Sequence, residues 1–107
     1  MYMKKFVVKI PGSGIKEIVL QEIIEKARKY NVQQVILFGS RARGDYHETS
    51  DIDLAVRGGN NDLFALAVDE ETHTLLKYDI VNLDNYVQPD LQKVIEEEGI
   101  IIYEKIW

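Results

Sequence analysis

Residues 51–56, Asp-Ile-Asp-Leu-Ala-Val, constrain the fold of this chain more than any other stretch. Their polarity alternates with period two, which places Ile52, Leu54 and Val56 on one face of a strand and Asp51, Asp53 and Ala55 on the other. The run Val35-Ile36-Leu37-Phe38 reads differently: it is continuously apolar and stopped by Gly39, as expected of a strand buried on both faces. Tyr78 to Leu83 and Ile100 to Tyr103 read as further strands, with Asp79, Val81 and Leu83 sharing one side. Residues 4–10 are expected to form an edge strand. Between the strands, apolar residues recur every three to four positions from Ile15 to Tyr30, and Lys26, Arg28 and Lys29 suit the negative end of a helix that Asn31 can close. Asn61 to Leu76 reads as a second helix. A third runs from Pro89 to Glu98, with Leu91, Val94 and Ile95 inward and Gly99 as its cap. Helices alternating with strands predict an α+β fold with α/β-like alternation, a mixed sheet packed with helices on one or both faces.

The chain has 107 residues, read as a single domain over 1–107, and its 46% hydrophobic content suffices for a core. It has no cysteine, which excludes disulfides and cysteine-based metal sites and fits a reducing compartment. The longest apolar run, Leu63 to Val68, is far short of the ~18 residues a membrane helix needs. The amino terminus carries no signal-peptide pattern, so the expectation is a soluble, cytoplasmic protein with no membrane contact. Charge is uneven: residues 1–57 hold ten Lys/Arg against seven Asp/Glu, and residues 58–107 hold three against eleven. A basic half attracts a phosphate-bearing ligand, whereas an overall charge of −5 is a poor footprint for nucleic acid.

Three features could carry chemistry. On a strand, the carboxylates of Asp51 and Asp53 project from one face about 6–7 Å apart. Such a pair is stable either in water or around a cation, and oxygen-only ligands suit Mg²⁺. Asp79 lies on the next strand, and its parity matches theirs if the two strands are neighbours; three converging carboxylates are a ligand set for two divalent ions. Gly39-Ser40 follows the apolar strand directly, where a glycine lets backbone amides approach a phosphate and a helix starting next would add its own. Arg41 and Arg43 place positive charge nearby.

Taken together, Gly39-Ser40-Arg41-Ala42-Arg43-Gly44, then Ser50-Asp51-Ile52-Asp53-Leu54, then Lys77-Tyr78-Asp79-Ile80-Val81 resemble the nucleotidyltransferases of the DNA polymerase β superfamily. Within it the chain is similar to the minimal nucleotidyltransferases, which consist of little more than the catalytic core. The similarity spans nearly the whole chain, including Glu97-Glu-Gly-Ile-Ile-Ile-Tyr-Glu104. The resemblance implies that Gly39 and Ser40, with Arg41 and Arg43 nearby, hold the triphosphate of ATP. It implies that Asp51 and Asp53 bind two Mg²⁺ ions, and that Asp79 completes one metal site and helps deprotonate the acceptor hydroxyl. Three carboxylates and two such ions sum to about +1, so a site hostile to a nucleotide becomes attractive once loaded.

The family also implies a partner. Minimal nucleotidyltransferases pair with small helical HEPN-type proteins, in which arrangement the transferase is an antitoxin that moves AMP onto a tyrosine of the HEPN ribonuclease. Two other readings stay open: the catalytic half of a two-subunit small-molecule nucleotidyltransferase, and a partner that neutralises by binding alone. Self-association is possible in any of these. Gly12-Ser13-Gly14-Ile15-Lys16 lacks the Gly-Lys-Ser/Thr of a phosphate loop and reads as a turn before a helix. His47 and His73 read as surface residues, with His47 in the loop near the site; Glu96-Glu97-Glu98 opposes the helix dipole for no reason visible in the sequence.

Overall fold

The computed structural model describes residues 9–105. Its elements are helix α1 (Glu17–Lys29), strand β1 (Gln34–Phe38), a four-residue helix α2 (Ser40–Arg43), β2 (Ile52–Arg57), α3 (Asn61–Glu71), β3 (Tyr78–Asn82), α4 (Pro89–Glu98) and β4 (Ile100–Glu104). The strands form one sheet in the order β3-β2-β1-β4. β1 pairs antiparallel with β2 and β4, and β2 pairs parallel with β3. Parallel neighbours cannot be joined by a tight turn, and α3 makes the crossover between them. The fold is the expected mixed sheet with helices, and both faces are covered.

The alternation in β2 decides which helix goes where. Ile52, Leu54 and Val56 join Val35 and Leu37 of β1 in a dry layer with Leu20, Ile23 and Ala27 of α1 and Phe64 and Val68 of α3. On the opposite face, Phe38, Ala55 and Ile95 are buried, with Ile36, Val81, Leu83 and Leu91 partly covered, so among the described helices α4 packs there. α1 ends as the sequence predicts: Asn31 takes φ 59°, and Val32 N–H donates to the Ala27 carbonyl at 2.9 Å. Gly99 has an ordinary φ; it is needed because a Cβ there would lie 2.3 Å from the Ile95 carbonyl oxygen and 2.5 Å from Ile36.

Several boundaries differ from the sequence reading. The second helix stops at Glu71, not Leu76. Thr72 Oγ1 donates to the Val68 carbonyl at 2.7 Å and also bonds the Tyr78 hydroxyl, offering the chain an alternative to another helical turn. Leu75 is consequently fully exposed, while Leu76 turns back onto the core. Val94 is exposed instead of inward, because α4 covers the sheet through Leu91 and Ile95 only. Asp51 precedes β2, and Ala55 is buried under α4. The strand expected over residues 4–10 lies, up to residue 8, outside the described residues; Lys9 and Ile10 are not in a strand. Among the described residues no helix is long and apolar enough to cross a membrane.

Candidate active site

The site forms where β1 ends and β2 and β3 begin. Phe38 is the register partner of Asp53, and Asp53 is in turn the register partner of Asp79 on parallel β3. Neighbouring strands lie about 4.8 Å apart, so these two carboxylates leave the same face of the sheet side by side. Gly39 follows Phe38 and turns the chain with φ 77° and ψ −158°. A Cβ at Gly39 would stand 2.1 Å from Asp53 Oδ2, so only glycine allows the backbone this close to the carboxylate. Beyond it α2 opens with Ser40, half-buried, and the amides of its first turn have no carbonyl of their own helix to bond.

Electrostatics mark Asp53 as the centre. Its pKa is pushed up to about 6, first by burial, then by the charges of Asp79 and Asp51, against the opposing pull of Arg43 and Arg41. Asp79 and Asp51 therefore both act on Asp53. They do so from different supports: Asp53 and Asp79 stand on the ladder, while Asp51 sits on the exposed residue before it. Among the described residues no three carboxylate or imidazole side chains stand close enough to hold one metal ion between them. The donor set nonetheless fits Mg²⁺: it is all oxygen, and Asp51 and Asp79 are both exposed, with room to swing.

The two arginines part company. Arg43 is exposed and pairs with Asp45 at 3.2 Å and Glu98 at 3.0 Å; those partners hold its guanidinium more firmly charged than usual. Glu98 thus gains the purpose the sequence did not reveal. Arg41 corrects the expectation of a charge offered to phosphate. It is 2% exposed, and its guanidinium is engaged by four backbone carbonyls. His47 is exposed in the loop between α2 and β2. His73 N–H and its ring both bond Glu22; burial raises the Glu22 pKa, but the hydrogen bonds and charge of His73 outweigh it and lower the net value. Clefts of about 620 Å³, between Ile15, Val19, Ile52 and the 72–76 turn, and about 250 Å³, beside α4 at Ile36 and Leu83, lie elsewhere. None of the three carboxylates lines either; with Asp51 and Asp79 exposed and Asp53 half-buried, the site is an open shelf.

Comparison with known proteins identifies the family. Residues 21–106 match the family described as Polymerase beta, Nucleotidyltransferase. Two relatives from Methanocaldococcus jannaschii share the name "Putative protein adenylyltransferase". One is 42% identical over 64% of this chain and 64% of its own length, just under two thirds of that relative. The other is 32% identical over 84% of this chain and 96% of its own. Among solved structures, a toxin-antitoxin with AMP-PNP superposes with a TM-score of 0.63 at 23% identity, over 80% of this chain and 73% of that one, a likeness of fold. A mutant of the toxin-antitoxin MntA-HpeT gives 0.62 at 25% identity, over 79% and 72%. The chain therefore belongs to the polymerase β nucleotidyltransferase family.

Proposed function

We propose that this nucleotidyltransferase is a Mg²⁺-dependent protein adenylyltransferase that moves AMP from ATP to a tyrosine hydroxyl of a HEPN-type toxin, and so acts as its antitoxin in the cytoplasm. The observation that carries the reading is the register pairing of Asp53 with Asp79 beside a glycine whose Cβ would strike the Asp53 carboxylate. Two repelling carboxylates on one strand pair weaken a sheet. Their presence beside a bend that can admit a phosphate is accounted for by a cationic, nucleotide-bound state. The toxin-antitoxin structures and the adenylyltransferase relatives support the choice of donor and acceptor.

Asp51, Asp53 and Asp79 are the residues that would hold Mg²⁺, which when bound neutralises the carboxylates and the triphosphate and steadies charge on the departing pyrophosphate. Gly39 and Ser40 hold the phosphates through backbone amides and the hydroxyl, and Arg43 supplies charge at their edge. The acceptor oxygen attacks the α-phosphorus, the bond to the β-phosphate oxygen breaks, and pyrophosphate leaves. Asp79, exposed on an edge strand of the described sheet, takes the hydroxyl proton. The test is to incubate the chain with α-labelled ATP, Mg²⁺ and the product of the adjacent gene. Label on a tyrosine of that protein, lost with chelator, is expected. ATP consumed with no label on the protein would overturn the acceptor assignment.

A further inference from the structure

Of the three carboxylates, Asp53 and Asp79 are fixed by strand pairing, whereas Asp51 hangs at the end of a loop. That loop has little structure of its own: Ser50 N–H donates to the His47 carbonyl at 3.0 Å, and His47 N–H to Ser50 Oγ at 2.8 Å. What shapes it is Arg41. Arg41 Nε donates to the Ser50 carbonyl at 3.0 Å, and Nη2 donates to the carbonyls of Glu48 at 3.1 Å and His47 at 3.4 Å. Its Nη1 reaches the Ser13 carbonyl at 2.9 Å, and its guanidinium lies over the Tyr46 ring, 4.6 Å from the centroid. The same ring packs on Gly14, where a Cβ would come within 2.5 Å of it. Among the described residues Arg41 and Ser13 are the buried polar side chains, and no carboxylate pairs with Arg41.

A buried guanidinium without a counter-ion is costly, and a planar fork of donors can recover that cost only if several carbonyls converge on it in fixed directions. The carbonyl of Ser50 belongs to the peptide plane that carries the Asp51 amide, so holding it sets the direction in which Asp51 leaves the loop. We propose that Arg41 is a positioning residue: it acts on nucleotidyl transfer by fixing the Ser50–Asp51 peptide, and makes no contact with the phosphates. The proposal rests on the reading of Asp51 as a metal-binding residue.

The test compares Arg41→Lys, which keeps the charge and loses the fork, with Tyr46→Leu, which keeps the guanidinium and removes its stacking plane. Each is assayed for transfer and for Mn²⁺ binding by electron paramagnetic resonance, alone and combined with Asp51→Asn. The expected result for Arg41→Lys is a kcat lower by roughly 10- to 100-fold with the KM for ATP nearly unchanged, and weaker Mn²⁺ binding. Tyr46→Leu should show the same split to a smaller degree, and it carries the test if Arg41→Lys does not fold. In the Asp51→Asn background neither change should weaken Mn²⁺ binding further, because the group being positioned is gone. A raised KM for ATP at unchanged kcat would mean direct phosphate contact and would overturn the proposal. So would full activity in both variants. Full activity in Asp51→Asn alone would instead remove the reading on which the proposal rests.

Discussion

The two faces of the sheet are built to different standards. Against α1 and α3, the inward residues of β1 and β2 are wholly buried and apolar. Against α4, only Phe38, Ala55 and Ile95 are buried; Val81, Leu83 and Leu91 remain half-covered, and Asp53 and Asp79 occupy one end of the same surface. Burying apolar surface contributes about 25 cal/mol per Å², so stability resides chiefly on the first face. The second can tolerate like charges held in register because the first secures the strands that carry them. The proposed chemistry and the cohesion are separated by the thickness of one sheet.

The largest way to test that separation is to remove the carboxylates. Asp51→Asn and Asp53→Asn should each lower transfer of label from ATP by about 10³–10⁴-fold, near 4–5.5 kcal/mol, with no loss of thermal stability. Retention of most activity in either would remove the division of labour. Truncation on the dry face should do the reverse: Phe64→Ala costs about 3–5 kcal/mol in urea unfolding, whereas Leu91→Ala under α4 costs about 1 kcal/mol. Equal costs would show that the faces are not so different. Gly39→Ala falls between the two classes, because the new methyl meets Asp53 and the left-handed backbone is strained. It should destabilise by about 2 kcal/mol and reduce transfer more steeply than that loss explains.

The smallest effect concerns the metal-free protein. Asp53 holds its proton to about pH 6 in the folded chain, above its usual 3.8, because of burial first and Asp79 and Asp51 next. The folded state thus binds more protons than the unfolded one between those values. Stability from this group is fullest below the lower value and is lost as pH rises through the upper. In chelator, Asp53→Asn should therefore gain about 1 kcal/mol at pH 8, after allowance for solvent screening, and nothing at pH 4. Urea midpoints at the two pH values give the answer, and a gain at both would assign the effect to shape instead of charge.

Much of this was legible in the sequence because it is written in short-range patterns. The period-two alternation of residues 51–56 fixed which side chains meet α1 and α3. The common parity of Asp53 and Asp79 became a real pairing once β2 and β3 proved to be neighbours. What escaped was set by contacts distant along the chain. An arginine following Gly39-Ser40 looks like a phosphate ligand, and only the convergence of carbonyls from residues 13, 47, 48 and 50 explains why it is buried. The early end of α3 depends on Thr72 meeting Tyr78, and the acidic end of α4 on Glu98 meeting Arg43. Neither pairing has a local signature.

β3 is an edge strand of the described sheet, and it is the strand that bears Asp79. Among the described residues no further strand of the sheet lies beyond it, so the carboxylate proposed to accept the proton is approached from the flank. A substrate as bulky as a folded macromolecule can present one protruding side chain there without any hinge having to swing. The same openness admits solvent, so slow loss of AMP to water should accompany the reaction whenever no acceptor occupies the flank.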